Sequence, residues 1–110
     1  MKRVIGLSLA TVVATTAAQA GEIYGRLTER SRPIAEGTTV KATCPGFSAE
    51  VRTDRFGFYR LFIAPVGACD VVVTAGNQSS ARFGIRSQRG SVRYDFELDR
   101  RTSPPRLVRR

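Results

Sequence analysis

The chain carries two cysteines and no histidine, and these two counts bound its chemistry. Without histidine, Ser–His and Cys–His nucleophile pairs cannot form, and zinc sites lose their commonest ligand. A serine–lysine dyad would need a buried lysine. Beyond the first twenty residues the one lysine is Lys41, and its alternation with Val40 and Ala42 puts it on the solvent face of a strand. No glycine-rich phosphate loop of the Walker or dinucleotide type occurs. Cys44 and Cys69 have twenty-four residues between them, which is not the Cys-x-x-Cys spacing of redox or zinc sites. An even cysteine count in a chain bound for an oxidising compartment predicts a Cys44–Cys69 disulfide. These residue types predict a non-enzymatic protein with no metal and no cofactor.

The compartment is read from residues 1–20. Lys2 and Arg3 precede an apolar stretch from Val4 to about Val13, and Ala18-Gln19-Ala20 fits the small-x-small rule of signal peptidase. The stretch is well short of the roughly 20 residues a membrane span needs, and no cysteine at the cleavage point invites a lipid anchor. The expectation is a bacterial Sec-type signal peptide, cleaved before Gly21, and a periplasmic or secreted product with peripheral membrane contact at most. Ninety residues then remain, enough for one domain with a small core. A disulfide closing the loop from Cys44 to Cys69 contributes on the order of 3 kcal/mol there.

Loss of Lys2 and Arg3 leaves sixteen Lys and Arg against nine Asp and Glu, a net charge of +7 carried almost wholly by arginine. Such a surface attracts anions, and guanidinium suits bidentate contact with carboxylate or phosphate. For an exported chain the expected partners are an envelope protein, anionic polysaccharide or lipopolysaccharide, with no nucleic acid inside the cell. Two surfaces are candidates. Phe58 and Phe62 alternate with Tyr59 and Leu61, which places them on the outer face of their strand with Phe56 at a hairpin tip. Outward rings can stack on sugars or meet a protein, giving a carbohydrate-binding alternative, unless a loop or the C-terminal segment covers them. The second candidate is that segment, residues 100–110. Arg100, Arg101, Arg106, Arg109 and Arg110 lie there with no acid, and Pro104-Pro105 blocks helix and central strand, so it is expected as an extended, flexible, anion-contacting tail.

Positioning these residues falls to strands. Period-two patterning broken by Gly and Pro predicts seven of them, near 22–28, 38–44, 48–53, 58–63, 69–74, 80–86 and 91–98, and turns at this spacing argue a two-sheet sandwich over 21–99. The last two strands read as an antiparallel hairpin through Ser87-Gln88-Arg89-Gly90. In that register Ile85 faces Val92, Phe83 faces Tyr94, Ala81 faces Phe96 and Arg82 faces Asp95, so the acids are structural ion-pair partners. Asp54 is placed to cap a tight turn while Gly57 takes a positive φ. Asn77-Gln78-Ser79 reads as a turn.

Gly25-Arg26-Leu27-Thr28, Arg32-Pro33-Ile34-Ala35-Glu36-Gly37-Thr38-Thr39-Val40, Thr53-Asp54-Arg55-Phe56-Gly57-Phe58-Tyr59-Arg60-Leu61 and Pro65-Val66-Gly67-Ala68-Cys69-Asp70-Val71 occur in this order. In order and spacing they resemble the motifs of carboxypeptidase regulatory-like, or transthyretin-like, domains over residues 21–99. The resemblance implies a seven-stranded Greek-key β-sandwich that acts as a spacer, adhesion or carbohydrate-contact module. The family's hydrolytic activity belongs to a separate catalytic domain. Cys69 stands where the family carries an aromatic, and a disulfide to Cys44 replaces that ring. Similar adhesin repeats carry a Lys–Asn crosslink, but Lys41 on a solvent face and Asn77 in a polar turn predict none here.

Overall fold

The computed structural model describes residues 21–110, and the expected signal peptide lies outside the described residues. In chain order the strands are β1 (Gly21–Glu29), β2 (Arg32–Pro33), β3 (Thr39–Cys44), β4 (Phe47–Arg52), β5 (Phe58–Ile63), β6 (Gly67–Ala75), β7 (Gln78–Ser79), β8 (Phe83–Ser87), β9 (Ser91–Arg93), β10 (Phe96–Asp99) and β11 (Arg106–Arg109), with no helix among the described residues. Strands β1, β2, β5, β9, β10 and β11 form a six-stranded sheet, and β3, β4, β6, β7 and β8 a five-stranded one. The expected all-β sandwich with one disulfide therefore forms. It has eleven strands in place of seven. The expected last strand is split into β9 and β10, two-residue pairings add β2 and β7, and the C-terminal segment supplies β11.

Alternation along each strand builds the core. Tyr59, Leu61 and Ile63 of β5 point inward while Phe58, Arg60 and Phe62 point out. Ile23 and Leu27 from β1 join the same apolar cluster as Val40 and Ala42 of β3 and Val71 and Val73 of β6. Each fully buried Val, Leu or Ile contributes about 1.5–3 kcal/mol relative to exposure.

The strand β1 organises the six-stranded sheet. On one side it pairs antiparallel with β5 through Gly21↔Ile63 to Arg26↔Phe58. On the other it pairs in parallel with β9 through Ile23↔Val92, and then with β10 through Leu27↔Phe96. Between β9 and β10 the ladder is interrupted. There the Tyr94 amide donates to the Tyr24 carbonyl at 2.8 Å, and the Arg26 amide donates to Asp95 Oδ1 at 2.8 Å. A Cβ on Gly25 would overlap the Tyr94 carbonyl, so only glycine permits this approach.

The expected hairpin between the last two strands does not form. Strand β8 pairs antiparallel with β6, with Cys69↔Ile85 and Val71↔Phe83, while the next strand crosses to the other sheet. Ser87-Gln88-Arg89-Gly90 is thus a crossover between sheets. From Phe83 onward the side-chain pattern is the same either way, because both strands point their apolar residues at a shared core, whereas Ala81, expected on the core side, lies before β8 and is exposed. Phe83 and Phe96 meet edge to face, with ring centroids 4.9 Å apart, across the sandwich rather than along a ladder. Asp95 is an ion-pair partner as expected, but of Arg93 at 2.9 Å and not of Arg82.

The C-terminal segment also departs from expectation. Its backbone is extended, but it is not a free tail: β11 pairs antiparallel with β10 from Phe96↔Arg109 to Asp99↔Arg106. Leu107 is buried in the core and the Pro105 carbonyl accepts from the Ala81 amide at 2.7 Å. The proline pair precedes the strand and leaves the four residues after it free to donate their amides.

Candidate functional site

The outer face of β1 and β5 brings the outward aromatics together with guanidinium groups. Phe58 and Phe62 stand four residues apart on β5, 44% and 61% exposed, so neither a loop nor the C-terminal strand covers them. Arg60 lies between them on the same face. Across the ladder Arg26 is opposite Phe58, Tyr24 opposite Arg60 and Glu22 opposite Phe62, and Arg93 of β9 is opposite Tyr24 on the far side. The Arg26 guanidinium stands 5.6 Å from the centre of the Phe58 ring, and that of Arg93 stands 6.0 Å from the centre of the Tyr24 ring. In the turn before β5, Arg55 stands over Phe56 at 5.2 Å. Each such exposed contact is worth about 0.5–1 kcal/mol, which orders the cations without withdrawing them from solvent.

The tight turn that presents Phe56 has the chemistry the sequence indicates, but it does not close the expected hairpin: β4 pairs with β3 and β5 with β1, so the turn carries the chain from one sheet to the other. Asp54 Oδ1 accepts from the amides of Phe56 at 2.8 Å and Phe58 at 3.0 Å. Gly57 has φ 84°, and a Cβ there would overlap the Leu27 carbonyl. Arg26 Nε donates to the Phe56 carbonyl at 3.1 Å, tying the tip to β1. Arg60 Nε meets Glu22 at 3.0 Å, and the Ser91 hydroxyl donates to the other oxygen of that carboxylate at 2.7 Å. Behind the face, the Tyr59 hydroxyl donates to the Tyr94 carbonyl at 2.6 Å. Burial, reinforced by nearby Asp95, pushes this phenol far above its ordinary pKa.

Tyr24, Arg26 and Arg93 belong to the face although sequence reasoning singled out only the three phenylalanines. The period-two pattern of β1 does place Tyr24 and Arg26 on one side. What it cannot supply is that β1 lies beside β5, a partner thirty residues on.

Cys44 and Cys69 form the expected disulfide, with a Cα–Cα distance of 4.4 Å. They sit opposite each other one step beyond the Thr43↔Asp70 pair of the β3–β6 ladder, at the short spacing of a pair without ladder hydrogen bonds. The bridge locks two strands of one sheet, and no thiol is left free. Lys41 is exposed on β3 opposite Glu50. Among the described residues no cluster of three or more Cys, Asp or Glu side chains is arranged to hold a metal ion.

The C-terminal arginines are held by the domain's own acids. Arg100 Nε meets Glu29 at 2.6 Å, Arg110 reaches Glu97 at 3.3 Å, and Asp99 takes Arg101 at 2.9 Å and Arg106 at 3.3 Å. Hydrogen bonds from the Arg101 side chain and amide hold the Asp99 carboxyl well below the usual carboxylate range. Arg109 donates to the Arg93 carbonyl at 3.1 Å and stands 4.1 Å from the Tyr94 ring centre.

No family model matches this chain, and no curated protein does. Among solved structures it is similar to the Bacillus anthracis TIE protein, with a TM-score of 0.61 at 13% identity, over 82% of this chain and 17% of that one. A "putative carbohydrate binding protein" from Bacteroides uniformis aligns with a TM-score of 0.48 at 17% identity, over 72% of this chain and 44% of that one. The likeness is one of fold. This chain spans less than a fifth of the first protein and less than half of the second.

Proposed function

We propose that this is an exported, non-enzymatic β-sandwich module that binds an acidic polysaccharide of the cell envelope through the outer face of β1 and β5. The observation that carries the reading is the interleaving of Phe58, Arg60 and Phe62 with Tyr24, Arg26 and Arg93 on one exposed face. Rings supply flat apolar surface for sugars, and guanidinium groups supply bidentate donors for the carboxylates of uronic acids. The disulfide supports an oxidising compartment, in line with the leader read from residues 1–20.

Membership of the carboxypeptidase regulatory-like family is part of the proposal. The residues carrying that resemblance have physical reasons to be what they are. Gly25 admits the Tyr94 carbonyl, Asp54 and Gly57 close the turn before β5, and the Thr53 hydroxyl, buried, joins the Thr38 amide at 3.2 Å to the Ala35 carbonyl at 3.2 Å.

Titration calorimetry of the oxidised protein with polygalacturonate and with neutral dextran tests the function. The expected result is binding of the acidic polymer that weakens as salt rises, with none of dextran. Equal binding of both, or of neither, contradicts the proposal.

A further inference from the structure

We propose that a second site, a cleft between the β1–β2 turn and the β10–β11 connection, binds a phosphomonoester or free phosphate. The cleft encloses about 620 Å³ and is lined by Arg30, Arg100, Arg101, Arg106 and Arg110, together with the carboxylates of Glu29, Glu97 and Asp99. Five guanidinium groups against three carboxylates leave two positive charges in one concavity. Each guanidinium has five N–H donors, and the three carboxylates together accept about twelve hydrogen bonds, so donors remain in excess. The ion pairs to Glu29, Glu97 and Asp99 fix where four of the arginines stand. A carboxylate ligand would cancel one of the two surplus charges. A phosphomonoester, at about −1.5 to −2 near neutral pH, cancels both and offers three acceptor oxygens.

The fifth arginine is the telling one. Arg30 makes no ion pair among the described residues, and it sits with φ 53° beside Ser31 with φ 63°. These are the non-glycine residues of positive φ among the described residues, and they are consecutive. A hairpin turn of this geometry favours Asn-Gly, which would relieve the strain. Arg-Ser keeps the strain and sets a cation at the cleft mouth, and residues held in such conformations cluster at ligand clamps.

The strain provides a test that misfolding cannot confound. Arg30→Gly relaxes the backbone while removing the guanidinium, and Ser31→Gly relaxes the same turn while keeping it. Both variants should melt about 4–8 °C above the parent in chloride buffer. Replacing chloride by inorganic phosphate at constant ionic strength should raise the melting temperature of the parent and of Ser31→Gly, whereas Arg30→Gly should bind phosphate about tenfold more weakly. A parent indifferent to phosphate, or an Arg30→Gly variant that responds as the parent does, overturns the proposal. Sedimentation with phosphatidic acid vesicles, with phosphatidylcholine vesicles as control, identifies the source. Recruitment that inorganic phosphate competes away supports a lipid-borne phosphate, and a phosphate response without recruitment supports a soluble one.

Discussion

Asp95 takes the place of a peptide carbonyl. Where the parallel ladder between β1 and the β9–β10 segment is interrupted, its Oδ1 receives the Arg26 amide and both its oxygens receive Arg93 Nε. Asp95→Ala should lower stability by about 1–3 kcal/mol in urea unfolding, and Asp95→Asn by less, because the amide oxygen still accepts. The register reading identified Asp95 as a structural acid from the alternation around it. Its partners were not legible, since they depend on which strand lies alongside. Tyr59 gives a pH prediction. Its phenol ionises near pH 10 in the unfolded chain and much higher when folded. The unfolded state therefore loses its proton first as pH rises, and the stability tied to the buried neutral phenol, full below pH 10, falls above it. Tyr59→Phe should flatten that alkaline loss measured between about pH 9 and 11, while costing about 1 kcal/mol at neutral pH through the lost hydrogen bond to the Tyr94 carbonyl.

At the scale of elements, the strands were legible and their partners were not. Seven stretches of alternation were found, and β5 in particular begins and ends where its pattern does. Alternation reports which residues are buried. It does not report whether two core-facing strands lie side by side or face to face, which is why β8 and β9 read as a hairpin. The Asp54–Gly57 turn was readable because its chemistry is local. Strand β11 was hidden because a single buried Leu107 among arginines carries too little pattern, and its pairing depends on the distant β10. It follows that truncation after Asp99 harms the fold. Loss of the Leu107 burial and of the β10–β11 ladder should lower stability by about 2–4 kcal/mol by chemical denaturation. Replacing Cys44 and Cys69 together by serine should cost a similar 2–5 kcal/mol.

For the molecule as a whole, the basic balance divides into two kinds of surface. Near the C-terminus the arginines meet Glu29, Glu97 and Asp99, and most of their charge stays within the fold. On the β1–β5 face Arg60 and Arg93 are paired with Glu22 and Asp95, whereas Arg26 stands over the Phe58 ring with no ion pair among the described residues, so its charge stays available to an outside partner. Composition could give the total charge but not this division, which depends on which strands become neighbours. The most direct measurement compares the affinity for polygalacturonate of the parent, a Phe58→Ala/Phe62→Ala double variant and a Lys41→Ala control on the other sheet. These side chains are exposed, so melting temperatures should change little. The account predicts an affinity at least about tenfold lower for the double variant, with the control unchanged; equal affinity for all three proteins would contradict it.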